Sequence, residues 1–265
     1  PWSVYKMNNR HQFATANGKL IDIRGIESEQ ILVRFENTFE VHNAINQYKD
    51  GINANTVNSG TGTLFSARPI SFNNTDLGYG GTQHKALLST EFGHFWADAM
   101  RGQVFMVDTN GRNLKEITQS KRNWFKEHLP FKIIKSVNNM NHLDTDNNFK
   151  GLGLIFGYDS RFKRIFLTKR DYVAKVKNIY YKDKNFYIKE NDIEKEISLQ
   201  DDKYFEDVSF TMAYSPMTET WISYYSFKPD FYIGFHNYFQ TGINFSKDKK
   251  EEGLWSHLLT NKSYQ

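Results

Sequence analysis

The sequence predicts an all-β fold built from antiparallel hairpins. Two stretches, Gly153–Thr168 and Val208–Ser223, share one pattern: an apolar strand ending in Tyr, a polar turn, and a bulky residue seven positions after the Tyr. Aromatic residues make up 16% of the chain, mostly Phe and Tyr, which favour pleated surfaces. Asn110-Gly111 lies between two apolar runs, a strong hairpin signal. Repeated hairpins of this kind are typical of propeller-like blades, with an immunoglobulin-like sandwich as the second architecture.

The alignment of the two hairpins also predicts part of the core. It places Ile165 and Trp221 at equivalent positions, each seven residues after its Tyr, and we expect both side chains to be buried. Large aromatic side chains bury large areas, so Trp96, Phe105 and Trp124 complete the predicted structural core.

Three further strand pairs are predicted before the first of these hairpins. Each consists of two apolar runs separated by a short polar turn. In chain order the pairs are Ile31–Phe35 with Phe39–Val41, His84–Ser89 with His94–Asp98, and Gly102–Val107 with Leu114–Ile117.

One segment interrupts the strand pattern and predicts a short helix near Ser120–Leu129. Ser120 is a suitable N-cap, Trp124 and Phe125 supply an apolar face, and Pro130 is a suitable stop.

The chain divides into two predicted parts. Residues 1–79 form an N-terminal β segment, interpreted as an incomplete blade, and residues 80–265 form a hairpin-rich body with a charged insertion around 178–201. Neither end carries a long polar tail, and the chain begins with Pro1 rather than Met. We therefore expect a fragment of a longer polypeptide.

Several classes of function receive no support from the sequence. The chain has no Cys, so disulfides and thiolate sites are excluded, and a net charge of +4 over 265 residues does not predict nucleic acid as a partner. No stretch approaches the roughly 20 apolar residues of a membrane-spanning helix. Asp144–Asn148 has the start of a calcium-loop spacing, but Phe149 stands where Gly is needed, which favours a solvated turn. No catalytic residue, metal ligand or cofactor is predicted.

The aromatic run after the second hairpin has two interpretations. One is the packing of a sheet face; the other is an exposed platform for a partner chain or a sugar. Pro229 cannot donate to a strand ladder, so the chain is expected to leave the sheet there. The candidate subunit-interface residues are Tyr224, Tyr225, Phe227, Pro229, Phe231 and Tyr232.

Four segments carry a family resemblance. In order they are Gly81–Lys85 with Trp96–Phe105, Trp124–Phe131, Gly157–Lys169, and Trp221–Pro229. They resemble the muzzle protein, a tail structural or stabilization protein of crAss-like and related podoviral bacteriophages. The resemblance runs from Gly80 to about Asn237, about two thirds of the chain, and is weaker over residues 1–79.

The resemblance implies a non-enzymatic virion protein in the wall or distal opening of a phage tail. It implies copies of the same chain and other tail subunits as partners, and it supplies no catalytic residues. The alternative from another class is a glycan-binding or glycan-cleaving β-propeller of a tail spike, and a third is a bacterial surface adhesin.

Overall fold

The computed structural model describes residues 12–26, 30–43, 46–50, 55–59, 69, 79–191, 193–235, 238–244 and 252–257. Of the described residues, 51% lie in strands and 12% in helices, in several antiparallel sheets, which confirms the predicted all-β class. Within the described ranges, every helix is too short or too polar to cross a lipid bilayer.

The N-terminal part contains a three-stranded meander and a separate hairpin. The meander confirms the first predicted strand pair and adds one strand before it. Its strands are β1 (Leu20–Ile26), β2 (Gln30–Phe35) and β3 (Phe39–Asn43), and the hairpin consists of β4 (Asn46–Asp50) and β5 (Asn55–Ser59).

A second, four-stranded meander follows, with its strands paired in chain order. It contains the other two predicted strand pairs, although its first strand begins later than expected because the preceding residues form a loop. The strands are β6 (Leu88–Thr90), β7 (Gly93–Asp98), β8 (Gln103–Val107) and β9 (Leu114–Glu116).

The two meanders, which we name the first sheet (β1 to β3) and the second sheet (β6 to β9), share a buried cluster that spans the predicted boundary between residues 79 and 80. Trp96 and Phe105 lie in it, both with no exposed surface, and the indole N–H of Trp96 donates to the carbonyl of Gly80 at 2.9 Å. Arg34 is also buried and donates to the carbonyls of Lys85 and Ala86. The cluster consists of Leu32, Phe39, Val41, Trp96, Phe105 and Val107.

The predicted helix is present but shorter than expected. It begins at Arg122 rather than Ser120, because Ser120 lies inside a 3-10 turn that precedes it and makes no capping hydrogen bond. The short helices are α1 (Arg122–His128) and α2 (Ile133–Ser136), and the 3-10 turns are Thr15–Asn17, Gln119–Lys121, His142–Thr145 and Asn148–Lys150.

The two matching hairpins form one four-stranded sheet, and residues 171–209 separate them in the chain, an insertion longer than the predicted 178–201. The sheet order is β10-β11-β17-β18, while the insertion holds a short pair, β12 with β16, and a meander of β13, β14 and β15. The strands are β10 (Gly153–Asp159), β11 (Arg164–Arg170), β12 (Tyr172–Ala174), β13 (Ile179–Lys182), β14 (Asn185–Glu190), β15 (Ile193–Ile197), β16 (Phe205–Asp207), β17 (Phe210–Ser215) and β18 (Thr220–Tyr225).

One row of side chains crosses this central sheet. Tyr158 pairs with Ile165, Ile165 pairs with Tyr214, and Tyr214 pairs with Trp221, so the two hairpins are in matching register. Ile165 is 1% exposed and Trp221 is 6% exposed. A β-bulge next to this row leaves Ile222 without a cross-strand partner and 48% exposed.

The inner strands β11 and β17 of the central sheet are buried on both faces, and their side chains alternate between the two faces. On β11, Ile165 and Leu167 join the main core cluster with α1 and the second sheet, whereas Phe166 points to the opposite face. That face packs on a third sheet of β19 (Phe231–Phe235), β20 (Tyr238–Ile243) and β21 (Gly253–His257). Sheets stacked in succession are compatible with the propeller-like prediction.

Gly157 permits the close approach of these two sheets. A Cβ atom at this position would lie 2.3 Å from the Cγ atom of Tyr232, well inside van der Waals contact. The ring of Tyr232 therefore occupies the space that any larger residue at position 157 would need.

Candidate functional site

Most of the predicted interface residues pack against other residues of the same chain. Pro229 is buried, while Tyr225, Phe227, Phe231 and Tyr232 are half-buried. Of the two interpretations of the aromatic run, this arrangement matches the packing of a sheet face, because these residues lie between the central sheet and the third sheet. Tyr224 is the exception among the six candidates, with 56% of its surface exposed.

The half-buried aromatic residues surround Phe166 on the central sheet. The ring of Phe166 lies 6.0 Å from that of Tyr232, 5.8 Å from that of Phe227 and 5.0 Å from that of Tyr225. The hydroxyl of Tyr232 makes a hydrogen bond of 2.5 Å with Thr168, and burial raises the pKa of this phenol. These residues stabilise the contact between two sheets.

Tyr224 belongs to a different group of side chains, which we name the aromatic edge: Trp124, His128 and Tyr224. Trp124 was predicted to be core, but it is half-buried and links helix α1 to the edge strand β18. Its ring centroid lies 4.5 Å from that of His128 and 5.6 Å from that of Tyr224. Tyr224, at the aromatic edge, is therefore the exposed remainder of the predicted interface.

A cavity of about 590 Å³ lies on the other side of the central sheet. It forms where the insertion, the segment after β18 and the strands β20 and β21 meet. Trp255 is half-exposed at 50%, and its cross-strand partner is Thr241, a buried residue. The residues that carry most of the cavity's chemistry are Arg170, Tyr172, Asp207, Lys228, Trp255 and His257.

The cations that line the cavity are neutralised within the protein. Arg170 lies 2.9 Å from the buried carboxylate of Asp230, and the Lys228 ammonium lies 3.1 Å from Asp207. Burial alone would raise the pKa of Asp207. Hydrogen bonds from Ser209 and the charge of Lys228 outweigh this effect and keep the pKa below its usual value. Asp207 is therefore a carboxylate, which only accepts hydrogen bonds.

His257 adds a neutral ring to the cavity. Burial lowers its pKa despite the opposing charge of Asp159, so the imidazole is uncharged near pH 7. One ring nitrogen makes a hydrogen bond of 2.8 Å with the hydroxyl of Thr241. The ring also lies 5.0 Å from that of Phe227, which joins the cavity wall to the contact between the sheets.

No protein-family model matches the chain, and no curated protein matches it significantly.

The segment Asp144–Asn148, for which the sequence favoured a turn over a calcium loop, has a structural role. Asp144 accepts a hydrogen bond from the backbone N–H of Asn141, and Asp146 accepts one from Lys85, so both carboxylates hold backbone in place. Among the residues that the structure describes, no group of three or more His, Asp or Glu side chains is arranged to hold a metal ion.

A buried ion pair joins the helical segment to the central sheet. Lys169 and Asp171 are 1% and 0% exposed, and their charged atoms lie 2.7 Å apart. The ammonium also donates to the carbonyls of His128 and Pro130, at 2.7 and 2.8 Å. Asp171 accepts the backbone N–H of Ile133 at the start of α2. This pair has a structural role because its polar atoms are used within the fold.

His84 is another buried polar residue with a structural role. Its ring stacks on Phe131 with centroids 4.9 Å apart, and Nε2 makes a hydrogen bond of 3.0 Å with the Thr145 hydroxyl. Burial, together with the nearby charges of Lys169 and Arg34, lowers its pKa to about 3. His84 is therefore neutral in the folded protein at physiological pH.

We expect His84→Gln to weaken the dependence of stability on acid. Below about pH 6.5 the unfolded chain takes up a proton at His84, which the folded protein does not bind until about pH 3. The folded state therefore loses about 1.4 kcal/mol per pH unit below 6.5. Urea unfolding between about pH 7.5 and 5.5 measures this loss, which the Gln variant should lack. Equal slopes for both proteins would contradict the assignment.

Proposed function

We propose that the chain is a non-enzymatic structural protein of a tailed-bacteriophage virion, located in the tail wall or the distal muzzle assembly. The proposal rests first on the four segments, spread over about two thirds of the chain, that resemble the muzzle protein in order. Copies of this chain and other tail subunits are the proposed partners.

The observation that carries the proposal is that the four resembling segments meet in one buried unit. Ala97 in the first segment, whose carbonyl accepts a hydrogen bond from the Thr82 hydroxyl at 2.7 Å, lies in the main core cluster. The Phe125 ring in the second segment lies 4.7 Å from that of Trp221 in the fourth. Ile165, in the third, lies in the same cluster. The segments supply packing and backbone hydrogen bonds, which is the use expected of a structural protein.

We place the subunit contact at the aromatic edge. Interfaces are enriched in Trp and Tyr, and here these residues flank the outer strand of the central sheet. Trp124 is held in position by Phe210, whose ring centroid lies 4.9 Å away, so the exposed surface is pre-organised. A rigid aromatic surface binds a partner at a low cost in side-chain entropy.

Tyr224→Asp is expected to block this contact without unfolding the chain. The side chain is 56% exposed, so the folded monomer should lose less than about 0.5 kcal/mol of stability. A carboxylate in the centre of an aromatic contact is strongly unfavourable. Tyr238→Asp is the matched control, since Tyr238 is 58% exposed on the third sheet.

The test is assembly of phage particles that carry each variant, followed by cryo-electron microscopy of the wild-type particle. The proposal expects tail density for this chain, with the aromatic edge against a neighbouring subunit, and a tail defect for Tyr224→Asp alone. Density outside the tail would overturn the virion assignment. Tail density with the aromatic edge facing solvent would overturn the placement of the contact.

A further inference from the structure

We propose that the cavity beside β20 and β21 binds a neutral saccharide. This inference is independent of the tail assignment, because it rests on the shape and chemistry of the cavity. The volume of about 590 Å³ is within the range of small-ligand pockets and has room for a few sugar rings.

Trp255 lines the cavity, and half of its surface is exposed. A pyranose ring presents a face of C–H groups that matches a flat aromatic surface. Residues alternate along a strand, and Trp255 and His257 share the cavity face of β21.

Polar groups line the cavity together with the indole of Trp255. Asp207 supplies carboxylate oxygens that accept from sugar hydroxyls, and Lys228 is an ammonium donor beside it. Ser226 and Gln200 add groups that both donate and accept. Adjacent hydroxyls of a sugar match such mixed donors and acceptors.

The positive and negative side chains that line the cavity are equal in number, which favours a neutral ligand over an anion. Two basic and two acidic side chains line the cavity: Arg170 and Lys228, and Asp202 and Asp207. Arg170 is directed to Asp230 and to the carbonyl of Lys228. An anionic ligand would have to compete with these internal carboxylates for the two cations.

The experiment is binding of neutral oligosaccharides to the full chain, measured by calorimetry and tryptophan fluorescence. The probes are maltotetraose, cellotetraose, mannotetraose, galactotetraose and chitotetraose. Trp255→Ala should weaken binding of the preferred probe at least about tenfold. Asp207→Asn should weaken it about three- to tenfold, by removing a charged acceptor.

Leu254→Ala is the matched control, because Leu254 is 54% exposed on the neighbouring position of β21 but does not line the cavity. We expect its affinity to remain within about twofold of the wild type. Thermal unfolding of each variant checks that the fold is retained. Absence of binding by every probe up to about 10 mM would overturn the proposal, as would equal affinities for Trp255→Ala and the wild type. A preference for sulfated or sialylated forms of the probes would also overturn it, since the site would then be an anion site.

Discussion

Trp221→Ala is expected to lower the free energy of unfolding by about 3–5 kcal/mol, a large part of the stability of an ordinary domain. Trp221 is 6% exposed, and its ring lies close to those of Phe125 and Tyr214. Its indole N–H donates to the carbonyl of Ile117 at 2.9 Å, which ties β18 to the end of the second sheet. The truncation leaves a cavity and a buried carbonyl without its donor. Thermal unfolding should show a melting temperature lowered by roughly 6–20 °C.

The neighbouring residue provides the control for Trp221. Ile222 lies on the same strand but at the bulge, with 48% of its surface exposed, so Ile222→Ala should cost less than about 0.5 kcal/mol. Trp221→Phe separates the two contributions, because it keeps much of the apolar contact and loses the hydrogen bond. An unchanged melting temperature for Trp221→Ala would contradict the buried position of this residue in the hairpin repeat.

Lys169→Met is expected to cost about 3–5 kcal/mol, because it leaves the Asp171 carboxylate buried without its cation. The substitution also removes the donor to the carbonyls of His128 and Pro130, at the C-terminal end of α1. The Met side chain fills a similar volume, so the loss is electrostatic and not steric. Denaturation by urea with fluorescence detection measures the change.

An exposed ion pair is the control for Lys169. Lys115 and Glu219 form a salt bridge with 42% and 60% of their side chains exposed, and Lys115→Met should cost less than about 1 kcal/mol. The double variant Lys169→Met with Asp171→Asn should be more stable than the sum of the single changes, because neither charge is then left alone. Equal losses for Lys169→Met and Lys115→Met would show that the buried pair contributes little.

The hairpins were predictable because their signals are local. An apolar strand, a polar turn and a second strand lie close together in the sequence, and the turn fixes the register. The spacing that Tyr158 and Ile165 share with Tyr214 and Trp221 therefore places each pair opposite each other in one cross-strand row. The helix was also predictable, but its first residue was not, because a 3-10 turn and an α-helix start from similar residues.

The sequence alone left open whether the aromatic run is buried or exposed. Whether Tyr232 is covered depends on the absence of a side chain at Gly157, which lies on another strand far away in the chain. The half-buried position of Trp124 differs from the predicted core position for a similar reason, because only the fold places this residue beside the outer strand of the central sheet. The cavity has no sequence signal either, since its lining residues come from the insertion, from β20 and β21, and from the segment between the sheets.

The insertion between the two hairpins has a consequence for the order of folding. β10 and β11 are consecutive, as are β17 and β18, so each hairpin closes a short loop. The pairing of β11 with β17 joins residues such as Lys169 and Phe210 across the whole insertion, which is a much longer closure. Contacts of high sequence separation form slowly. Each hairpin of the central sheet should therefore form quickly, whereas the pairing of β11 with β17 should form slowly. We infer that the pairing of β11 with β17, rather than the formation of either hairpin, sets the rate at which this part of the chain reaches its native state.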